Sequence, residues 1–277
     1  MQALRVCCLA ILLGLNGIAA AQTTPDAIRI GIIPYLTPSL LLSLFQPLRQ
    51  HLEKDLGKPV EIFTAPDVPT FARRVHHREF DLVVTAAHQA RLAQVEAEYL
   101  PIARFSGPLH ATVIVSKDSP IKQIGDLKGK RIAVTDRSIL VNIAISKIFA
   151  DSGLREPAIQ YLPVNSQNTG ILTVARGEAD AAIIAHFALD QSPPEQRNAV
   201  RSIFRSPELP NVTILLNSRI GANLREQISK SLLNFPQTAE GRKFLEQSKY
   251  QDIAPANNEF MKSLDPYLAE TRRQLGL

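Results

Sequence analysis

From residue 28 onward, short apolar runs alternate with amphipathic stretches. Residues 28–33 form an apolar run that ends at Pro34, which predicts a buried strand. Residues 40–56 carry leucines at three- and four-residue spacing and are followed by Gly57, a pattern typical of an amphipathic helix with a glycine stop. The same pattern predicts further strands at 60–64, 81–85, 100–105 and 111–115, and helices at 69–76 and 88–98.

A second alternating set begins at residue 131. The pattern predicts strands at 131–135, 159–164, 180–185, 203–205 and 212–217, with helices at 139–150 and 169–176. After Arg219 the pattern is helical throughout, with helices predicted at 223–234, 239–248 and 258–275. Alternating strands and helices favour an α/β protein whose parallel strands carry helices on both faces.

Residues 1–21 have the features of a signal peptide. Arg5 is followed by the apolar run 6–17 and by three alanines before Gln22, the order of a secretory leader and its cleavage site. The run is too short to span a bilayer stably, so we expect a soluble protein exported to the periplasm. Both cysteines, Cys7 and Cys8, lie near the start of this run, whereas a lipid anchor needs a cysteine after it. The mature chain is therefore expected to lack disulfides and thiolate sites.

The composition narrows the choice of partner. Lysine and arginine number 31 and aspartate and glutamate 26, with the two signs interspersed along the chain. Tryptophan is absent and aromatics make up 6%, so no stacking surface accompanies a basic patch and nucleic acid is not expected. The mild positive charge suits a small anionic ligand. No HExxH, GxSxG or phosphate-loop motif occurs, so we expect no metal, no cofactor and no catalytic residue, with an enzyme kept as an alternative.

A short polar loop leads from the strand 131–135 into an apolar helix. Such a junction presents free backbone N–H groups and a positive dipole end to an anion. Ser138, Asn142 and Ser146 recur every four residues and form one polar stripe, which either faces water or presents its first turn to a cleft. Arg137 is either a solvated loop residue or a bidentate partner of a carboxylate or oxyanion.

Four polar residues crowd the next strand-to-helix junction, and a helix cap accounts for only one or two of them. These candidates are Asn165, Ser166, Asn168 and Thr169.

Two further junctions end in Ala-His, at His88 and His186. Because ligands lie beyond the carboxyl ends of strands in open α/β sheets, the two histidines either face one crevice or cap helices. If they meet, binding depends on pH near the histidine pKa. Tyr35 and Thr37 follow the first strand and are further candidates, since a tyrosine can cover a ligand while offering its hydroxyl.

Several segments carry a family resemblance in the correct order: residues 30–34, 47–60, 65–67, 80–82, 113–121, 126–133 and 205–207. They resemble the PhnD-like (phosphate, phosphite and phosphonate) periplasmic substrate-binding proteins of ABC transporters, which have the type II periplasmic-binding-protein fold. The similarity covers most of residues 28–217. The resemblance adds two candidate ligand-binding residues, Asp67 and Thr85, because the family has binding-site residues at these positions.

The resemblance implies two lobes joined by two crossing segments, each with a mixed, mostly parallel sheet and flanking helices, and a helical C-terminus. Lobe 1 would comprise residues 26–109 and 211–277, and lobe 2 residues 110–210. A small ligand would be clamped between the lobes of a monomer. The membrane partner would be the permease of an ABC transporter or, alternatively, a sensor kinase.

The sequence departs from the family at its binding positions. Phosphonate-binding members carry a Ser-Thr-Ser-Gly run at the helix start of the second lobe, whereas residues 136–142 retain one hydroxyl, on Ser138. The family aromatics are replaced by Val68, Val84 and Thr85, and its histidine by Gln167. We therefore predict a small polar or anionic ligand without assigning phosphonate.

Overall fold

The computed structural model describes residues 27–36, 38–190 and 192–277. The predicted signal peptide and the candidate Thr37 lie outside the described residues. In chain order, the first part contains β1 (Ile28–Ile32), α1 (Pro38–Leu56), β2 (Val60–Phe63), α2 (Val68–His76), β3 (Leu82–Thr85), α3 (Ala87–Glu96) and β4 (Tyr99–Ser106). It continues with β5 (Ala111–Ser116), β6 (Arg131–Val134), α4 (Leu140–Asp151), β7 (Gln160–Pro163), α5 (Gln167–Ala175), β8 (Ala181–Ala185), α6 (His186–Asp190), α7 (Pro194–Asn198) and β9 (Val200–Arg205). The last elements are β10 (Thr213–Asn217), α8 (Ala222–Asn234), α9 (Ala239–Ser248), β11 (Asp252–Pro255), α10 (Asn258–Lys262) and α11 (Leu268–Leu275).

The strands form two separate sheets. The first has the order β11-β4-β10-β3-β1-β2 and the second the order β7-β6-β8-β5-β9. In the first sheet β1 pairs in parallel with β2 and β3, whereas β10 and β11 are antiparallel to their neighbours. In the second sheet β6 pairs in parallel with β7 and β8, and β5 is antiparallel to β8 and β9.

Buried side chains cover both faces of each sheet. One face of the first sheet packs against α1, α8 and α9, for example through Phe45, Ile228 and Phe244. Its other face packs against α2, α3 and the C-terminal segment, for example through Phe71 and Ala87. The second sheet lies between α4 on one side and α5 on the other. Apolar side chains inside and polar ones outside account for the alternation seen in the sequence.

The chain crosses between the sheets twice, at residues 107–110 and again at residues 206–212. The first crossing joins β4 to β5 and the second joins β9 to β10. As a result, everything from β10 onward returns to the first sheet or its helices. The predicted α/β class with two mixed sheets and flanking helices is confirmed. Parallel pairs are fewer than predicted, because only β1–β2, β1–β3, β6–β7 and β6–β8 are parallel, four of the nine pairs among the described strands.

Two expectations for the C-terminal region are wrong. Residues after Arg219 are not all helical, because β11 pairs with β4 as the edge of the first sheet and buries Ile253. The helix predicted at 258–275 is interrupted, since α10 ends at Lys262 and a 3₁₀ turn at Asp265–Tyr267 precedes α11. Pro266 lies in that turn, and proline cannot continue a helix because it lacks the backbone N–H. No helix within the described residues is long and apolar enough to cross a membrane.

Candidate functional site

Two strand-to-helix junctions, one from each sheet, meet at a hydrogen bond. Nε2 of His88, on α3 over the first sheet, lies 2.8 Å from the backbone oxygen of Ser138, which precedes α4 on the second sheet. Tyr267 packs against buried side chains of both sheets and also spans the two. Five buried polar residues at these junctions are called the seam below: Thr85, His88, Ser138, Asn142 and Thr213.

Both helices at the seam begin without a capping side chain. The residue before α3 is Ala86 and the residue before α4 is Ile139, and neither offers a side chain that accepts a hydrogen bond from the helix. The first backbone N–H groups of a helix have no partner within the helix, and they carry the positive end of its dipole. The seam therefore brings together two helix ends that suit a polar or anionic group.

His88 is fully buried, and its burial lowers its pKa to about 4. The ring is therefore neutral at neutral pH, with a hydrogen on one nitrogen. That hydrogen lies on Nε2, because the Ser138 carbonyl can only accept. Nδ1 is buried and has no hydrogen-bond partner among the described residues.

Ser138 and Asn142 are each 1% exposed, so this end of the polar stripe does not face water. The Asn142 side-chain nitrogen donates to Thr135 Oγ1 at 3.0 Å and to the backbone oxygen of Asp136 at 2.8 Å. The Ser138 backbone nitrogen donates to the Asp136 carboxylate at 2.8 Å. These bonds fix the loop ahead of α4, while Ser138 Oγ and Asn142 Oδ1 are buried without a partner among the described residues.

Ser146, the third residue of the stripe, has a different environment. Its hydroxyl lies 3.3 Å from the hydroxyl of Tyr161 and so contacts β7 instead of the seam.

Thr213 is a seam residue that was not predicted from the sequence. It is the first residue of β10 and lies directly opposite Thr85, the last residue of β3, in the antiparallel pair. Both threonines therefore lie at the end of the strands from which α3 begins. Thr85 donates to the Gln89 side chain at 3.0 Å, whereas the buried Thr213 hydroxyl has no partner among the described residues. The sequence signal that could have identified Thr213 is a hydroxyl residue at the start of a strand whose next three residues are apolar.

Arg137 is engaged within the second sheet. Its guanidinium lies 4.4 Å from the centre of the Tyr161 ring, and Nη1 is 3.2 Å from Glu156 Oε2. The structure thus pairs Arg137 with these two residues and not with other members of the predicted site.

The four polar candidates around the start of α5 are all exposed: Asn165, Ser166, Asn168 and Thr169. Ser166 caps the helix by accepting from the Thr169 backbone nitrogen at 3.1 Å. Asn168 accepts from Ser192 at 3.5 Å. Gln167, where the resemblance expects histidine, accepts from the backbone nitrogen of Ala185 at 2.7 Å and ties α5 to the end of β8. None of these hydrogen bonds involves the seam.

His186 and His88 have different partners. His186 Nδ1 accepts from the His110 backbone nitrogen at 3.2 Å, and the two imidazole rings lie 5.4 Å apart. Partial burial, followed by the nearby charges of Arg205 and His110, lowers the pKa of His186. Tyr35, 44% exposed, lies beside Tyr250 in the first sheet's half of the molecule.

Asp67 caps α2 by accepting from the Thr70 backbone nitrogen at 2.7 Å, and this hydrogen bond lowers the pKa of its carboxyl. Replacing a capping aspartate by alanine removes that bond, so Asp67→Ala is expected to lower the Tm by about 2–4 °C. Asp67→Ser restores a cap and should restore the Tm in differential scanning calorimetry. If Asp67→Ser instead keeps the Tm but loses ligand affinity, Asp67 has a binding role beyond capping.

Among the described residues, no group of three or more His, Cys, Asp or Glu side chains is placed to hold a metal ion. The seam itself offers hydroxyls, one amide, one neutral imidazole and two helix ends.

Comparison with known proteins gives matches over most of the chain. Residues 30–260 match the family model described as "ABC transporter, phosphonate, periplasmic substrate-binding protein". The phosphonates-binding periplasmic protein of Escherichia coli K12 is 25% identical over 242 residues, which are 82% of this chain and 72% of that protein.

Solved structures match over a similar extent. A Xanthomonas citri protein solved with bound chloride has a TM-score of 0.79 at 17% identity and covers 90% of this chain and 98% of that one. A binding protein component of a Pseudomonas aeruginosa ABC phosphonate transporter has a TM-score of 0.73 at 18% identity, over 90% and 87% of the two chains.

Proposed function

The chain belongs to the family of periplasmic substrate-binding proteins of phosphonate ABC transporters, and we propose that it binds a small polar or anionic solute at the seam and delivers it to a transporter. Its fold is that of the type II periplasmic binding proteins. The observation that carries the proposal is the hydrogen bond between His88 and Ser138, because it joins the two sheets beside buried polar groups that lack partners.

In this proposal the two sheets are the cores of two lobes. Lobe 1 comprises residues 26–109 and 211–277, and lobe 2 comprises residues 110–210. The crossings at 107–110 and 206–212 then act as the hinge between them. A ligand that contacts α3 on lobe 1 and α4 on lobe 2 favours the closed arrangement, because only that arrangement provides both sets of contacts.

The membrane permease of an ABC transporter is the proposed partner, and it would recognise the closed form of a monomer. Family members are periplasmic, and a cleavable signal peptide at residues 1–21 would account for export. The proposed protein is a carrier and not an enzyme. No observation favours the sensor-kinase alternative.

A thermal-shift screen of the mature protein tests the proposal. Sulfonates, phosphonates, carboxylates and amino acids are the probes, and at least one is expected to raise the Tm, since a ligand that binds only the folded state stabilises it. If no probe does so, and small-angle scattering detects no compaction on adding any of them, the proposal fails.

Replacing Ser138 tests the location of the site. Ser138→Ala removes a buried hydroxyl available to a ligand, so affinity for the best probe is expected to fall by about tenfold, the effect of one hydrogen bond. Ser146→Ala is the matched control, because it removes a hydroxyl from the same helix that contacts Tyr161. Isothermal titration calorimetry measures both. Equal affinity in the two variants would remove the start of α4 from the binding site.

A further inference from the structure

In the described part of the chain, four side-chain atoms of the seam lack a hydrogen-bond partner, and two of them can only accept, which restricts the ligand. One of the four, Thr213 Oγ1, is a hydroxyl on the first sheet and can both donate and accept. Among the described residues, His88 Nδ1, Ser138 Oγ and Asn142 Oδ1 are buried side-chain atoms without a hydrogen-bond partner. They belong together, since His88 bonds directly to Ser138, and Asn142 follows Ser138 by one helical turn. A buried polar atom without a partner is costly, which indicates that a bound group supplies one.

The orientation of the Asn142 amide is fixed by its neighbours. An amide oxygen and nitrogen are distinguished by what they contact. The backbone oxygen of Asp136, 2.8 Å away, can only accept, so the atom facing it is the NH₂ group. The same NH₂ group uses its second hydrogen on Thr135 at 3.0 Å. The free atom is therefore the oxygen, which can only accept.

The tautomer of His88 is fixed in the same way. The Ser138 carbonyl accepts from Nε2, and full burial keeps the ring neutral, so Nδ1 carries a lone pair and no hydrogen. Nδ1 is thus a second acceptor. Ser138 Oγ is the one unpartnered group of the three that can also donate.

We propose that the ligand of this protein presents hydroxyl or amino hydrogens to His88 Nδ1 and Asn142 Oδ1, so that the site selects hydroxylated or amino-bearing solutes over donor-free oxyanions. The inference rests on the proposed function and deepens it. An oxyanion without an O–H or N–H would place its lone pairs against two buried acceptors and leave both unsatisfied. Sites that bond a donor of the ligand reject analogues without it far more strongly than apolar pockets reject a size change.

Matched pairs of small compounds test the inference on the wild-type protein. Suitable pairs are glycolate and acetate, and taurine and ethanesulfonate, titrated by calorimetry. A single added hydroxyl can donate one hydrogen bond, so glycolate is expected to bind about tenfold more tightly than acetate. The taurine ammonium can donate to both acceptors, so taurine is expected to bind about a hundredfold more tightly than ethanesulfonate. Equal affinity within every binding pair would overturn the inference, and water would then be the partner of the two acceptors.

His88→Gln locates the selectivity. Glutamine can still donate to the Ser138 carbonyl, but its acceptor oxygen lies at a different position from Nδ1, so the preference for taurine over ethanesulfonate is expected to fall to about tenfold. His76→Gln is the control, because His76 lies on α2 and contacts Ala72 and Glu96. An undiminished preference in His88→Gln would contradict the assignment to His88. If no member of any pair binds and no probe of the thermal-shift screen raises the Tm, the proposed function itself is contradicted.

Discussion

Lowering the pH from about 6.5 to 4 is expected to reduce the free energy of unfolding of the wild-type protein by about 3 kcal/mol more than that of His88→Gln. His88 is fully buried, and burial lowers its pKa from 6.5 to about 4. Below pH 6.5 the unfolded chain takes up a proton at His88, whereas the folded chain takes it up only near pH 4. Within that window the unfolded state binds more protons, so stability is present above the window and is lost as the pH falls through it.

Urea denaturation of the ligand-free proteins at a series of pH values measures this difference. Other acid-sensitive groups, such as His186, are common to both proteins, so their contributions cancel in the comparison. The substitution can alter the stability at pH 8 without affecting the test, which depends only on how the difference changes with pH. If the free energies of unfolding of the two proteins change by the same amount between pH 6.5 and 4, the fold does not hold His88 neutral.

The acid sensitivity and the proposed ligand selectivity have one physical origin. The hydrogen bond to Ser138 fixes which nitrogen of His88 carries the hydrogen, and burial keeps the second nitrogen unprotonated. A protonated ring would turn Nδ1 from an acceptor into a donor. A donor-bearing ligand is therefore expected to favour neutral His88.

Local patterns in the sequence predicted most of the elements. The leucine spacing of α1 and the apolar runs of β1 and β6 need only neighbouring residues to be interpreted, and the structure has elements there. β11 was missed because four residues with a single buried apolar side chain, Ile253, carry no detectable period. Its strand conformation depends on pairing with β4, which lies almost 150 residues earlier in the chain.

The seam was predictable only in part. Its helix starts at Ser138 and His88 were identifiable as polar junctions after apolar strands. The contact between them was not, because it joins residues 50 positions apart on two different sheets. The unpartnered atoms of Thr213 and Asn142 depend on the positions of every surrounding group, which no local pattern contains. By contrast, the interruption of the C-terminal helix had a local signal in Pro266.

Phe244→Ala is expected to lower the free energy of unfolding by about 4 kcal/mol. Phe244 lies on α9 and is fully buried, with ring centres 5.3 Å from Phe45, 5.7 Å from Phe105 and 5.6 Å from Phe235. These partners belong to α1, β4 and the segment after α8, so one side chain links the C-terminal region to the first sheet. Removing it leaves a cavity that the surrounding rings can fill only partly.

Phe187→Ala is the matched control, because it removes the same side chain from a position that is 42% exposed. Its stability is expected to stay within about 0.5 kcal/mol of wild type in urea denaturation. If the two variants lose similar amounts of unfolding free energy, the packing of Phe244 does not anchor the C-terminal region. None of the aromatic rings that contact Phe244 belongs to a seam residue. The folded Phe244→Ala protein is therefore expected to bind its ligand with wild-type affinity. A parallel loss of affinity would instead indicate that packing on the far face of the first sheet positions His88, and that the seam depends on the C-terminal region for its geometry.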